Sequence, residues 1–358
     1  MGSGNLWERS FQLLVREWLL CASVVGLLIT SFHLRRFPLY EKRDFEIVFL
    51  LGLFFVQIKG LERANVFKVL AYHLKRGRAP GLKLLAGTFF LAAFITNDLA
   101  LLITVPLCLE LGSSKLERSL VFLALAANAG SAFTPIGNPQ NLFIYWFYQV
   151  HIFDFVREIL PLSAALGLLL LGLGALFLRT DGPHEPGEPP AWDRKRGLSF
   201  LFLATLCLAL VFKIIPLPFG LIILLVALWL DPKSSKIDYM LLLTFLAFFG
   251  FTDNLRASLK IQLQNKTQVF WAGALISQFL SNVPTTLLLA DFTPHWRDLL
   301  WGVNVGGFGN LIGSLANLIV FRFYLKTKRP PKEFLLSFHL WGYLFFFLGI
   351  VLYFFIHL

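Results

Sequence analysis

NAGSAFTPIGNPQN, residues 128 to 141, sits in the middle of an apolar segment running from about Leu116 to Tyr148. That segment exceeds the roughly 20 residues a helix needs to cross a bilayer. Its centre nevertheless holds Pro135, Gly137 and Pro139 beside Asn128, Asn138 and Asn141. Proline removes a backbone donor and crowds the preceding turn, and glycine loosens the helix further. A helix broken at membrane depth frees N–H and C=O groups that only protein or a water-filled cavity can satisfy. Such breaks mark binding sites in transporters, so the stretch predicts a helix interrupted for function.

The rest of the chain suits a membrane. Of 358 residues, 57% are hydrophobic and 15% charged, with mean hydropathy +0.70. Soluble domains carry about 25% charged residues, so the expected class is an all-α polytopic membrane protein. Cys21, Cys108 and Cys207 lie in separate apolar segments and form neither a disulfide framework nor a metal site. The net charge of +11 is then a topology signal and not a nucleic-acid footprint. Arg9, Arg16 and Glu17 before the first apolar run, with no clear cleavage site, argue against a cleaved signal peptide.

Segments of spanning length lie near 11–32, 44–62, 116–148, 154–179, 198–216, 217–230, 238–256, 297–324 and 334–357. Two further apolar stretches, 82–110 and 268–291, are interrupted by polar residues. The first contains Thr96, Asn97 and Asp98; the second contains Ser281, Asn282, Pro284, Thr285 and Thr286. Taken as re-entrant hairpins, they leave about nine crossings. Then 22 of the 32 Lys and Arg residues share the side of the N-terminus. The positive-inside rule puts that end in the cytoplasm and the C-terminus outside. Residues 180–197, TDGPHEPGEPPAWDRKRG, have no apolar face and read as a proline-rich cytoplasmic linker.

The halves resemble each other. The broken segment 128–148 aligns without a gap on 304–324: Asn128 with Asn304, Gly130 with Gly306, Ile136 with Ile312, Gly137 with Gly313, Asn141 with Asn317, Tyr148 with Tyr324. The tips at Asn97 and Asn282 also correspond. A first repeat in 1–179 and a second in 217–358, separated by the extra span, would be inverted, with opposed hairpins. Inverted repeats with broken helices characterise secondary transporters.

Asp98 is the sharpest single residue. An ionised carboxylate at membrane depth costs roughly 2.5–3.5 kcal/mol, so it should face a cavity or take up a cation or proton, unless it merely caps the second hairpin arm. Asn97 and Asn282 can offer carbonyl oxygens to a cation and N–H groups to an anion, or simply join helices. Thr96, Ser281, Thr285 and Thr286 can bind or bond back to their helix. Gly130, Ser131, Thr134, Gly137 and Asn138, with Asn304, Gly306, Gly307 and Asn310, line the two breaks; Asn138 and Asn141 read as braces. There is no HExxH, GxSxG or phosphate loop. GFGN at 307–310 is similar to the GxGD of intramembrane aspartyl proteases, but Asn310 stands where the acid is needed. No enzyme and no cofactor is expected, apart from sodium or a proton as coupling ion.

Thr96-Asn97-Asp98, AANAGSAFTPIGNPQN at 126–141 and SNVPTT at 281–286 together resemble the ion transporter superfamily, the group with the citrate-transporter-like domain. It includes divalent-anion/sodium symporters, arsenite efflux permeases and sodium/proton antiporters, and the chain is similar to its anion permease subgroup. The resemblance implies opposed hairpins, two unwound helices, a transport core moving against a scaffold, and a homodimer. The Asn-Asp tip is closer to the arsenite permeases and antiporters, which implies that Asp98 handles cation or proton coupling. The expectation is therefore an inner-membrane secondary transporter of a small or inorganic anion by elevator-type alternating access. A cation/proton antiporter, an arsenite-type permease and a channel are the alternatives.

Overall fold

The computed structural model describes residues 18–112, 115–178, 187–259 and 262–357. Arg9, Arg16, Glu17, Arg179 and the linker stretch 180–186 lie outside them. The described chain is helical throughout, with sixteen α-helices and no strand. In order they are α1 (Trp18–Leu34), α2 (Lys42–Arg63), α3 (Val66–Lys75), α4 (Pro80–Phe94), α5 (Asn97–Glu110), α6 (Leu116–Ala132), α7 (Pro139–Phe147) and α8 (Ile152–Phe177). The second half supplies α9 (Arg194–Val211), α10 (Phe219–Leu230), α11 (Tyr239–Ser258), α12 (Lys266–Leu280), α13 (Asn282–Ala290), α14 (Trp296–Gly306), α15 (Leu315–Leu325) and α16 (Pro331–His357).

The helices α8, α11 and α16 are long and apolar enough to cross a membrane, and α4, α10 and α15 are shorter apolar helices. Leu28 and Phe32 on α1, Leu168 on α8, Trp229 on α10 and Leu340 on α16 stand exposed. In water such apolar patches would drive association; facing lipid they need no cover. This is a multi-pass membrane protein.

Two packing blocks are evident. One, the support block, comprises α1, α2, α9, α10 and α11, and the other, the core block, comprises α4 to α8 and α12 to α16. Their main contacts are α2 against α7 and α11 against α13, while α3 bridges α2 to α4 and α5.

Proline, glycine and asparagine break the helices where the apolar runs are interrupted. The chain reverses between α4 and α5, and Thr88 Oγ1 donates to Thr104 Oγ1 across the two arms at 2.9 Å. It reverses again at Ser281, and Leu263 N–H to the Phe292 carbonyl, 2.8 Å, closes the base of that pair. The segment 116–148 divides into α6 and α7 around residues 133–138, and 297–324 divides into α14 and α15 around a short 3-10 turn, Leu311–Gly313. α6 lies along α4 and α14 along α12; in exchange, α7 packs on α13 and α15 on α5.

Between α2 and α4 the chain forms α3, whose side chains Phe67 and Ala71 are buried on one face. One expectation needs correction. The linker ends early, because α9 begins at Arg194: Asp193 accepts from Arg196 N–H at 3.0 Å and pairs with its side chain at 3.4 Å. That acidic cap offsets the unfavourable placing of three basic residues at a helix N-terminus.

Candidate functional site

At the first tip Thr96 is the N-cap, its hydroxyl accepting from Leu99 N–H at 3.3 Å. Asp98 therefore is not the cap. Asn97 N–H donates to the Gly137 carbonyl at 3.0 Å, which joins the tip to the first break. The Asn97 Oδ1 accepts from Asp98 N–H at 2.9 Å. At the second tip Asn282 Oδ1 likewise accepts from Val283 N–H at 2.9 Å and from Ser281 Oγ at 3.3 Å. Thr285 and Thr286 bond back to the Ser281 and Asn282 carbonyls at 2.8 and 2.7 Å. Ser281 holds φ 72°, ψ 159°, a region that strains any residue with a side chain.

The two tip asparagines are thus used in one way only. Their carbonyl oxygens already serve the backbone, and among the described residues neither Nδ2 donates to a partner. Gly307 lies beside the Asn282 Nδ2, with a Cβ at that glycine falling 3.2 Å away. Asp98 is half-buried, and among the described residues its carboxylate makes no hydrogen bond or ion pair.

The breaks are held by a crossed set of asparagines. Asn128 Nδ2 donates to Asn317 Oδ1 at 2.8 Å, and Asn304 Nδ2 donates to Asn141 Oδ1 at 2.9 Å. Asn141 Nδ2 also serves the Ser131 and Thr134 carbonyls, at 3.1 and 3.2 Å; Asn317 Nδ2 serves those of Gly307 and Asn310, at 3.1 and 3.3 Å. Thr134 Oγ1 donates to the Ala93 carbonyl, and Asn310 Nδ2 donates to the Gln278 carbonyl at 2.8 Å. Each break is tied in this way to its own hairpin. Asn138 caps α7 by accepting from Asn141 N–H at 2.8 Å and reaches Ser131 Oγ at 3.3 Å. A Cβ on Gly130 would overlap the Phe89 carbonyl oxygen, and one on Gly306 would meet Ser277.

The expected site residues therefore separate into two groups. Thr96, Gly130, Ser131, Thr134, Gly137, Asn138, Ser281, Thr285, Thr286, Asn304, Gly306, Gly307 and Asn310 spend their contacts on protein, whereas among the described residues Asn97, Asp98 and Asn282 keep polar atoms unengaged. Gln278 is a brace not anticipated from the sequence. Its Nε2 donates to the Gly306 and Phe308 carbonyls, at 2.7 and 3.1 Å, and its Oε1 accepts from Asn310 N–H at 3.0 Å. A glutamine inside the apolar LISQF arm was the available signal.

A family model described as "Citrate transporter" matches residues 11–295. An inner membrane protein of Escherichia coli K12 is 35% identical over 302 residues, covering 78% of this chain and 80% of that protein. An uncharacterized transporter of Methanocaldococcus jannaschii is 33% identical over 262 residues, covering 70% and 72%. A silicon efflux transporter of Oryza sativa subsp. japonica is 25% identical over 386 residues, covering 78% and 79%.

Proposed function

This chain belongs to the citrate transporter family and is a membrane transporter, and from that premise we propose that it is a secondary active carrier for a small anionic or oxygen-rich inorganic solute, coupled to a proton or sodium. The observation that carries this is the pair of tips. Asn97, Asp98 and Asn282, set against the two breaks, retain unengaged polar atoms beside break asparagines that are bonded to protein.

Solute oxygens would accept from Asn97 Nδ2 and Asn282 Nδ2. Backbone donors contribute less than helix N-termini usually do, because Asn97, Asp98 and Leu99 N–H are already bonded. Asp98 takes the coupling cation or proton, since among the described residues no cation pairs with its carboxylate. A relative named for silicon efflux fits a small oxygen-rich solute.

The contacts between the breaks support the inverted-repeat reading. Exchanging 128 with 304 and 141 with 317 converts one asparagine pair into the other, as a two-fold relation requires. Re-entrant hairpins, nine crossings, a cytoplasmic N-terminus and an outer C-terminus follow from that reading and the charge bias. The core block would move against the support block, and the exposed faces of α1 and α10 would pair two copies as a homodimer. A cation/proton antiporter is the second reading, favoured by the unpaired Asp98.

The test is counterflow in proteoliposomes, after a thermal-shift screen of oxyanions, dicarboxylates, silicic acid and arsenite with and without sodium. A carrier gives counterflow and uphill movement of solute. Flux that no solute gradient drives uphill would identify a channel instead.

A further inference from the structure

At one end of the core block a cleft of about 860 Å³ opens where the first turns of α8, α12 and α14 meet the last turn of α16. Two of its carboxylates are spent on neighbours. Glu158 on α8 accepts from Trp301 Nε1 at 3.0 Å, pairs with Arg297 at 3.3 Å and meets His357 Nε2 at 2.7 Å. Asp298 on α14 is buried and accepts from the Tyr353 hydroxyl at 2.5 Å. Arg157 on α8 and Lys266 on α12 also line the cleft, and among the described residues neither side chain makes a hydrogen bond or ion pair. Asp154 is the one lining carboxylate left without a partner among them. Two free cations thus face one free carboxylate, and three helix N-termini set their positive dipole ends against one C-terminus. The balance favours an anion.

Beyond the cleft the surface turns apolar. The Phe354 ring of α16 lines the cleft and lies 5.9 Å from the Trp271 ring of α12, centroid to centroid. Two rows of exposed side chains lead away from that contact. Leu275 and Phe279 follow Trp271 at four-residue steps along one face of α12, and Val351 and Phe347 follow Phe354 back along one face of α16. At 1.5 Å per residue the rows run about 12 Å and about 10 Å. Because they start from touching rings, they border a common apolar track. A charged cleft continuous with such a track fits an amphiphile with an anionic head, whereas a free ion has no use for the track.

We propose that this cleft binds an anionic phospholipid, its phosphate held between Arg157 and Lys266 and an acyl chain laid along the track between α12 and α16. The inference goes beyond the carrier function and holds whatever solute is moved. Basic pockets between membrane helices take such headgroups. The Arg157 guanidinium can donate two parallel N–H groups to phosphate oxygens, and Lys266 adds a compact charge. The three partners of Glu158 keep its charge engaged, so that it does not repel the phosphate. A choline headgroup brings its own cation to the two free basic groups and binds more weakly.

The test takes the full chain in neutral detergent and reads bound lipid by native mass spectrometry. Phosphatidylglycerol is expected to stay bound where phosphatidylcholine is lost; equal retention of the two would overturn the charge recognition. In the double variant Arg157→Gln with Lys266→Gln, affinity for phosphatidylglycerol should fall about thirtyfold, from roughly fivefold for each basic residue. Unchanged affinity in that variant would place the lipid elsewhere and sink the proposal. Arg157→Lys with Lys266→Arg keeps both charges and should stay within a fewfold of the wild type, which separates lost charge from lost fold; a drop as large as that of the glutamine pair would overturn the assignment. Asp154→Asn removes the one free carboxylate and should tighten binding about fivefold, and weaker binding would contradict the charge balance described. Inorganic phosphate and glycerol 3-phosphate should displace no lipid. Displacement by either would identify a site for aqueous anions and overturn the role of the apolar track.

Discussion

Asn141→Ala removes the most connected side chain of the two breaks. Its Nδ2 serves the carbonyls of Ser131, Ala132 and Thr134 at 3.1 to 3.2 Å, and its Oδ1 accepts from Asn304 at 2.9 Å. Side-chain hydrogen bonds between membrane helices average about 0.6 kcal/mol, and the two Nδ2 hydrogens, shared among the three carbonyls, with the Oδ1 make three, or roughly 1.8 kcal/mol. Carbonyls left unpaired in a buried site raise the loss to about 4 kcal/mol. Asn317→Ala removes three equivalent bonds, to Gly307, Asn310 and Asn128, and should cost about 2 kcal/mol. Equilibrium unfolding in mixed micelles, followed by tryptophan fluorescence, ranks the two. A double-mutant cycle of Asn141→Ala with Asn304→Ala isolates the crossed bond, with an expected coupling of about 0.6 to 1.7 kcal/mol. A loss at Asn141 below about 0.5 kcal/mol, or no coupling to Asn304, would refute the bracing role.

Four other outcomes are expected. Asp98→Asn should abolish accumulation driven by a proton or sodium gradient while leaving counterflow; full accumulation in proteoliposomes would remove Asp98 from the coupling step. Ser281→Gly should stabilise the protein by about 1 kcal/mol in the same unfolding assay, as relief of backbone strain exceeds the entropic cost of glycine, whereas Ser281→Ala should bring no gain. Gly130→Ala should destabilise by about 1–3 kcal/mol through overlap with the Phe89 carbonyl; an unchanged unfolding midpoint would contradict that contact. Burial opposes the charge on Asp231, but its hydrogen bonds from Arg63 and Lys233 N–H outweigh this and hold the carboxyl below the usual range. A depressed folded pKa contributes stability above the unfolded value of about 3.9 that is lost as pH falls through the folded value. Stability should therefore fall below about pH 4, with a smaller fall in Asp231→Asn.

The hairpins and broken helices were legible because the interrupting residues act locally. Pro135, Pro139, Gly137 and the tip asparagines stop a helix wherever the surrounding fold puts them. The equal spacing of asparagines in the two broken segments was legible as well. Partner choice was not. Asn128 meets Asn317 across 189 residues, and nothing local favours that over a bond to its own break. The sequence shows that Asn97 and Asn282 are amides, but only the tip geometry decides that the oxygens serve the backbone and the nitrogens stay open. Gln278 went unnoticed because one polar residue in an apolar arm has no periodic signature, although three backbone groups of the second break depend on it.

The crossed asparagines also impose an order on synthesis. The partners of Asn128 and Asn141 are 189 and 163 residues downstream. At translation rates of roughly 5–20 residues per second, the first break waits on the order of 10–40 s before the second emerges. During that interval Asn128 lacks its acceptors on Gly307 and Asn317, and Asn141 has only its local carbonyls. The nascent first half therefore stands with a polar seam uncovered until the second break arrives. A chain stopped before Asn304 would have no means of closing it.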